Sequence, residues 1–544
     1  MWWRQAVFYE IYIRSFQDSN GDGIGDLNGI IDRLDYLADL GVDAIWITPF
    51  YPSPRVDFGY DVSDFEQIDP LFGTLGDFDH LIAAAHARGI RVIVDLVLNH
   101  TSNEHAWFLA SRSSRDSPYR DWYIWRDGRG PGLPPNNWES AFGGPAWTFD
   151  ERSGQWYYHC FYPEQPDLNW RNPAVEERMF ATVAFWLDRG VDGFRLDAVN
   201  ALFEDPELRD NPVLPEPELT LTGVRSQRAL YTHRLPEMHG VLRRLRTFVE
   251  RRAPSVVLIS EAYVEQPEEL VRFYGEADDE VHLPFNFFLA QVAALDAGAF
   301  RRTVESVFDA CGPRWPSLVL SNHDIERACD RYATELAEVD GVAKMLAALL
   351  LTLRGSPFLY YGEEIAFRTA PPGTLNEVRD PVGRRFWPRY RGRDGERRPM
   401  PWSEGPGAGF TTGLPWLGLP PDAARRNVAA QLGEPESVLN FYRALVRLRR
   451  QRKSLSSGEY RALDGGRDIF SFLRQSDSDA VAIVLNMSRE TRPLAVDPEE
   501  PSAARRWRVA LGTHRREGVS LDLRDARLEG YEALVLEPGR ESHP

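Results

Sequence analysis

RVIVDLVLNH, Arg91–His100, is a short apolar run that carries an aspartate, Asp95, and ends on Asn-His. Three later stretches repeat the pattern: GFRLD (Gly193–Asp197), VVLISE (Val256–Glu261) and LVLSNHD (Leu318–Asp324). In each, an acidic residue stands just past a strand-like run. One architecture gathers many strand ends around a single mouth, the (β/α)8 barrel, whose chemistry sits at the C-terminal ends of its strands. A carboxylate at a buried strand end is costly unless it is paired or used. Asp95, Asp197, Glu261 and Asp324 therefore read as a carboxylate-driven active site.

The rest of the chain fits that frame. Further candidate strands are Val7–Ile13, Ala44–Thr48, His282–Asn286, Ser317–Asn322 and Phe358–Tyr361, which with Arg91–Leu98, Gly193–Asp197 and Val256–Glu261 make eight. Amphipathic patterns lie between them, as at Leu27–Leu40 and Phe78–Arg88, with Gly41 and Gly89 placed to end each helix. The segment 102–170 is rich in Trp, Pro, Gly and Asn, shows no helical period and is too long for an ordinary loop. It is expected to be an inserted domain after the third strand. Residues 1–101 and 171–455 then form the two parts of the barrel, with an elaborated loop at 366–433 after the eighth strand. Ser437–Leu455 reads as a helix. Beyond it, DIFSFL, AVAIVLNM, TRPLAV, RRWRVAL and YEALVLE alternate as a C-terminal antiparallel β-sandwich over 456–544.

Bulk composition narrows the function classes. The 544 residues are 43% hydrophobic, enough for several cores. The net charge of −18 disfavours nucleic acid and anionic membranes as partners but leaves neutral substrates unaffected. Cys160, Cys311 and Cys329 are odd in number and match no CxxC spacing, so neither a disulfide framework nor a zinc site is implied and a reducing, cytoplasmic setting is expected. MWWRQAVFYE is not a signal peptide pattern, and the longest apolar stretch, Met345–Leu353, is too short to cross a bilayer.

Two carboxylates in different environments can cleave a glycosidic bond, one as nucleophile and the other as acid, then base. Arg195 lies two residues before Asp197, on the same side of a strand, where its cation favours an ionised Asp197. Glu261 follows an uncharged strand, which suits a proton donor. Asp324, beside His323, suits hydroxyl binding and the support of a cationic transition state. Any one of these acids alone reads more readily as a helix cap. Four of them, with His100, His323 and Arg195 at matching strand ends, do not. HxH and HExxH clusters are missing from the sequence, which counts against a metallohydrolase.

The chain resembles glycoside hydrolase family 13, the α-amylase family. DLVLNH (Asp95–His100), GFRLDAV (Gly193–Val199), ISEA (Ile259–Ala262) and SNHD (Ser321–Asp324) match that family's four best-known blocks in order. QPDLNW (Gln165–Trp170) resembles the block marking its oligo-1,6-glucosidase and α-glucosidase branch. GSPFLYYGEE (Gly355–Glu364) matches the strand-eight block. GRDGERRPMPW (Gly392–Trp402) resembles RDxxRTPMxW, with Arg398 where Thr is usual. The resemblance implies that Asp197 is the nucleophile, Glu261 the acid/base and Asp324 the transition-state stabiliser. It implies that His100 and His323 bond sugar hydroxyls and that Arg195 orients the nucleophile. Tyr60 would stack on the sugar, Asp61 and Arg397 would hold its 4-hydroxyl, and Phe142, Phe161 and Gln165 would line the mouth. Asp95 becomes a brace beneath Arg195 and His100.

DSNGDGIGD (Asp18–Asp26) spaces oxygen ligands like the first part of a calcium loop, but Gly29 stands where an EF-hand needs Glu. Asp18, Asn20, Asp22, Asp26 and the carbonyl of Ile24 are the expected ligands of a structural Ca²⁺ or Mg²⁺; no organic cofactor is expected. The insert 102–170 and the segment Glu204–Pro236 should wall in the site, favouring exo-attack on short substrates. Ala198 follows the nucleophile; in this branch Val there goes with α-1,6 activity and Ala or Thr with α-1,4. The resemblance thus leans to a retaining α-1,4-glucosidase acting on maltose-like substrates, with transglucosylation, as a monomer or homodimer. Trehalose synthase and oligo-1,6-glucosidase are the near alternatives, and a non-catalytic transporter subunit or binding module the remote one.

Overall fold

The structure, a computed structural model, describes residues 1–220, 223–494, 506–523 and 525–539. Its centre is a parallel barrel of β1 (Phe8–Ile11), β2 (Ala44–Ile47), β3 (Arg91–Val97), β4 (Gly193–Asp197), β5 (Val257–Ser260), β6 (Leu283–Pro284), β7 (Ser317–Val319) and β8 (Ser356–Tyr360). The strands are ordered β6-β5-β4-β3-β2-β1-β8-β7. At the seam between β6 and β7 the Ser317 hydroxyl donates to the Pro284 carbonyl at 2.8 Å and accepts from the Asn286 amide at 2.9 Å. Seven strands lie inside the stretches expected for them, and β8 begins two residues before its expected start.

Period-two alternation sets what faces inward. Phe8, Trp46, Ile93, Val257, Ile259 and Phe358 fill the barrel, and their neighbours Tyr9, Ile45, Val92 and Leu258 pack outward under the helices. Phe8 and Phe358 stack at 4.4 Å. Gly193 is required because a Cβ there would meet Ile93 and Val257 side chains at 2.6 Å. Continuing the inward rows toward the mouth brings Glu10, Asp95, Arg195 and Asp197 into line, with Asp95 paired in register to Arg195. Asp95 is thus inside β3 and not past its end, because the strand runs on to Val97.

Some local expectations change. The Leu27–Leu40 pattern splits into helices Leu27–Asp32 and Leu34–Leu40 at Arg33, which is pulled out of line by stacking on Trp402 at 4.2 Å and donating to Gln17 at 2.7 Å. The insert after β3 does contain a helix, Ala106–Ser113, started by the His105 ring accepting from the Trp107 amide. The insert also holds a three-stranded antiparallel sheet of Trp125–Arg126, Trp147–Asp150 and Gln155–Tyr158. Met345–Leu353 falls mostly in the buried helix Val339–Thr352, and among the described residues no helix is long and apolar enough to cross a membrane.

The C-terminal region is a six-stranded antiparallel sheet running from Glu459–Asp464 through Ile469–Gln475, Ala480–Asn486, Ala533–Pro538 and Trp507–Gly512 to Ser520–Leu521. Phe470, Phe472, Ile483 and Val535 on one face join the barrel's core. Leu473, Val484 and Leu536 on the other face pack with Leu528 of a two-stranded ribbon, Arg492–Pro493 and Arg527–Leu528, and with Leu494 just past it. The last two residues of TRPLAV and the first of RRWRVAL lie outside the described residues.

Candidate active site

At the mouth one guanidinium organises three carboxylates. Arg195 Nη1 donates to Asp197 Oδ1 at 2.5 Å and to Asp95 Oδ1 at 3.1 Å, while Nη2 donates to Glu261 Oε1 at 2.6 Å. Its charge rests 5.0 Å above the Trp46 ring. Glu261 stands one residue beyond β5, and its Oε2 accepts from the Ala198 amide at 3.1 Å. A second cluster holds Asp324, whose Oδ1 accepts from Arg397 at 2.7 Å and Arg393 at 3.0 Å. Its Oδ2 lies 3.4 Å from His323 Nε2. The clusters meet through Tyr60, whose hydroxyl is 3.0 Å from Asp95 Oδ2 and 2.9 Å from His323 Nε2.

The electrostatics separate the carboxyls. Burial tends to raise Asp324, but His323, Arg393 and Arg397 outweigh it and hold the group well below the usual carboxylate range. Burial raises Asp197 and Glu261, and the single charge of Arg195 opposes this for both. Arg195 therefore opposes the rise of Asp197 while serving Glu261 and Asp95 as well. It divides its charge among three, so its pull on each of Asp197 and Glu261 is shared. His100 and His323 are both lowered to about 3 by burial, so the imidazoles are neutral.

The remaining expected residues mostly converge. His100 Nε2 is 3.2 Å from the Tyr60 carbonyl and 3.0 Å from Gln165 Nε2. Phe161 lies 5.2 Å from the His100 ring and 5.3 Å from Phe142, forming one wall. Arg397 also donates to the His323 carbonyl at 2.8 Å. Asp95 supports Arg195, Tyr60 and Trp46, and no bond joins it to His100 in the described structure.

Asp61 is a correction. It is fully buried, with Oδ1 accepting from Ser53 and the Asp57 amide and Oδ2 from the Val56 amide. Those bonds tie down the 53–61 turn and hold the carboxylate fully buried within it. Asp57 takes the place expected of it, accepting from Arg393 at 2.9 Å and from Gln165 at 3.2 Å.

A match to the catalytic domain of α-amylase covers residues 10–458. The chain belongs to the α-amylase family. It is a glycoside hydrolase, and its relatives act on small glucosides. It is 44% identical to a probable α-glucosidase of Rhizobium meliloti, over 92% of each chain. It is 38% identical to an oligo-1,6-glucosidase of Parageobacillus thermoglucosidasius, over 90% of this chain and 91% of that one. Among solved structures, an α-glucosyl transfer enzyme superposes with a TM-score of 0.90 at 40% identity, over 99% of both chains.

The site also holds residues that sequence reasoning passed over. Arg393 binds Asp57, Asp324 and Asp380 at once. It opens the same RDGERRPM stretch that yielded Arg397, so the signal was present. Tyr263 stacks on Phe287 at 4.5 Å and 5°, two residues beyond Glu261, with its buried hydroxyl unpartnered. Glu10, on β1, touches His323; no motif pointed to it.

In the Asp18–Asp26 loop the carboxylates bond backbone amides. Asp18 accepts from Asn20, Gly21 and Gly23, Asp22 from Ile24, and Asp26 from Ser19 and Gly29. Among the described residues no three His, Cys, Asp or Glu side chains converge as a metal cage. The donor set is all oxygen, which suits a hard cation; Asp22 and Asp26 keep lone pairs free, whereas the Thr411 hydroxyl takes the last site on Asp18.

Proposed function

We propose that the enzyme is a retaining, exo-acting α-glucosidase of short α-1,4-linked substrates such as maltose. The observation that carries this is Arg195 bonding Asp197 and Glu261 through the two ends of one planar guanidinium. Two carboxyls so tied suit the roughly 5–5.5 Å separation of a retaining pair and not the roughly 6.5–9.5 Å of an inverting one. Asp197 is the nucleophile and Glu261 donates a proton to the leaving oxygen, then takes one from water. Asp324, kept ionised by its arginines, stabilises the oxocarbenium-like state. Tyr60 stacks on the sugar, His100, His323, Asp57, Arg393 and Arg397 bind its hydroxyls, and Phe142, Phe161 and Gln165 wall the site.

Ala198 supports the α-1,4 preference by leaving room beside the nucleophile. The likeness to a glucosyl transfer enzyme favours transglucosylation from the same covalent intermediate. The buried cysteines fit a cytoplasmic setting, and the 18–26 loop is the proposed seat of a structural Ca²⁺ or Mg²⁺. The deciding experiment incubates the protein with maltose, isomaltose, sucrose and trehalose and follows products and anomers. Glucose released first as the α-anomer from maltose is the expected result. Much faster splitting of isomaltose would overturn the linkage, and conversion of maltose to trehalose would make the enzyme an isomerase. Asp197→Ala should abolish turnover of an aryl α-glucoside.

A further inference from the structure

The proposed chemistry leaves one buried acid unexplained. Glu10 points into the barrel from β1 and is 2% exposed. Its Oε1 lies 2.6 Å from His323 Nδ1 and 3.4 Å from the His323 amide. The imidazole is boxed by Tyr60 at 5.4 Å, Tyr12 at 6.0 Å and the edge of Trp46 at 6.0 Å. Its other nitrogen, Nε2, faces the Tyr60 hydroxyl at 2.9 Å and Asp324 Oδ2 at 3.4 Å.

With Asp95 ionised, as its bonds from Arg195 and Trp46 favour, counting protons sets the direction of this chain. Tyr60 has one hydroxyl proton, and Asp95 Oδ2, 3.0 Å away, takes it when ionised. The Tyr60 oxygen then accepts from His323, which places the imidazole proton on Nε2. A neutral imidazole protonated at Nε2 has a bare lone pair on Nδ1. Glu10 is the group in contact with Nδ1, so Glu10 must be the donor. Burial raises Glu10 against the pull of Arg195, with Asp324 and Asp95 adding to the rise, and burial keeps His323 neutral.

We propose that Glu10 is a positioning residue, a buried carboxylic acid that donates to His323 Nδ1 and holds the Nε2 proton toward Tyr60, Asp324 and the sugar. The last element rests on the α-glucosidase reading above; the hydrogen-bond chain does not. With the wrong tautomer, His323 would present a lone pair to Asp324 and to a hydroxyl already oriented for a donor.

The test has two arms. The first is long-range ¹H–¹⁵N spectroscopy of ¹⁵N-histidine-labelled protein at neutral pH, with His323 assigned by its loss in His323→Gln. A neutral Nε2–H signature is expected, and an Nδ1–H tautomer or an imidazolium would overturn the proposal. The second compares variants on an aryl α-glucoside. Glu10→Gln, whose amide also donates to Nδ1, should keep kcat/KM within about fivefold. Glu10→Leu should lose on the order of 100-fold, mostly in kcat, as expected for a misaligned group. Equal kcat/KM in Glu10→Leu and the unmodified enzyme would overturn the proposal. If Glu10→Leu does not fold, the first arm decides. An unmodified enzyme inactive on every α-glucoside would refute the glucosidase reading and leave the tautomer result standing.

Discussion

The Ala198 amide donates to Glu261 Oε2 across 3.1 Å, from a left-handed backbone at φ 48° and ψ 32°. An alanine held there costs about 1–2 kcal/mol, so the residue after Asp197 is strained to aim an amide at the neighbouring acid. Glycine tolerates this conformation and keeps the amide, so Ala198→Gly should retain maltose turnover within about tenfold. Ala198→Val, β-branched at positive φ, should cost about 1–3 kcal/mol of stability. It should also raise the isomaltose-to-maltose ratio of kcat/KM. Thermal melts and parallel assays on the two disaccharides check both effects; an unchanged ratio in Ala198→Val would remove this position from linkage choice.

Asp57 and Asp61 should separate cleanly in mutants. Asp57 faces Arg393 and the mouth, whereas Asp61 spends both oxygens inside its own turn. Asp57→Asn is expected to lower kcat/KM on an aryl α-glucoside by about 100-fold. Asp61→Asn leaves one buried amide facing a new donor and should cost about 1–3 kcal/mol of stability, with kcat/KM of the folded enzyme within about tenfold. The reverse pattern would restore Asp61 to the sugar.

That pair also shows how far the sequence could be read. The barrel was legible because period-two apolar runs and glycine-ended helices recur along the chain, and the catalytic blocks sit at the ends of those runs. Position alone pointed to Asp95, Asp197, Glu261 and Asp324 together, and the family resemblance set Asp95 apart from the other three. Asp57 and Asp61 are four residues apart in one turn, and only the path of the backbone decides which carboxylate faces the mouth. Glu10 lies on an ordinary apolar strand, and its partner is 313 residues away, so no local pattern could reveal it. Arg33 and His105 redirect a helix and start one through tertiary and side-chain contacts that helical periodicity does not record.

The Asp18–Asp26 loop makes a prediction about metal. Asp26 is raised by burial, with the like charge of Asp18 adding to it, so two acids share a confined end of the loop. A divalent cation would relieve that repulsion and stabilise only the folded state. Adding Ca²⁺ at about 100 times its Kd should add about 2.7 kcal/mol, and chelation should remove it. Asp22→Ala should abolish the response while leaving kcat on maltose unchanged. Melting temperatures identical in Ca²⁺ and in chelator would show that the amides alone satisfy the loop.

Stability should fall as pH rises through neutrality, because several carboxyls are buried without a full counter-charge. Glu396 is the sharpest case: burial raises it from 4.5 to about 8, with Glu326 adding and Arg397 and Arg327 opposing. The sign follows from linkage. Below the unfolded value both states hold the proton and the carboxyl takes nothing from stability. Between that value and about 8 the unfolded chain releases it while the folded chain keeps it, so unfolding gains up to about 1.4 kcal/mol per pH unit. Above about 8 both states are ionised and the loss levels off. Glu204 and Glu363, each raised to about 7 by burial, act in the same direction. Asp324 acts oppositely, its contribution being present above the usual aspartate range and lost only in strong acid. Glu396→Gln removes one titration without removing a bulky group. Its melting temperature, relative to the unmodified enzyme, should start level near pH 4.5, climb steadily to about pH 8 and then run parallel. A gap that stays constant across that range would mean that Glu396 is already ionised in the folded protein.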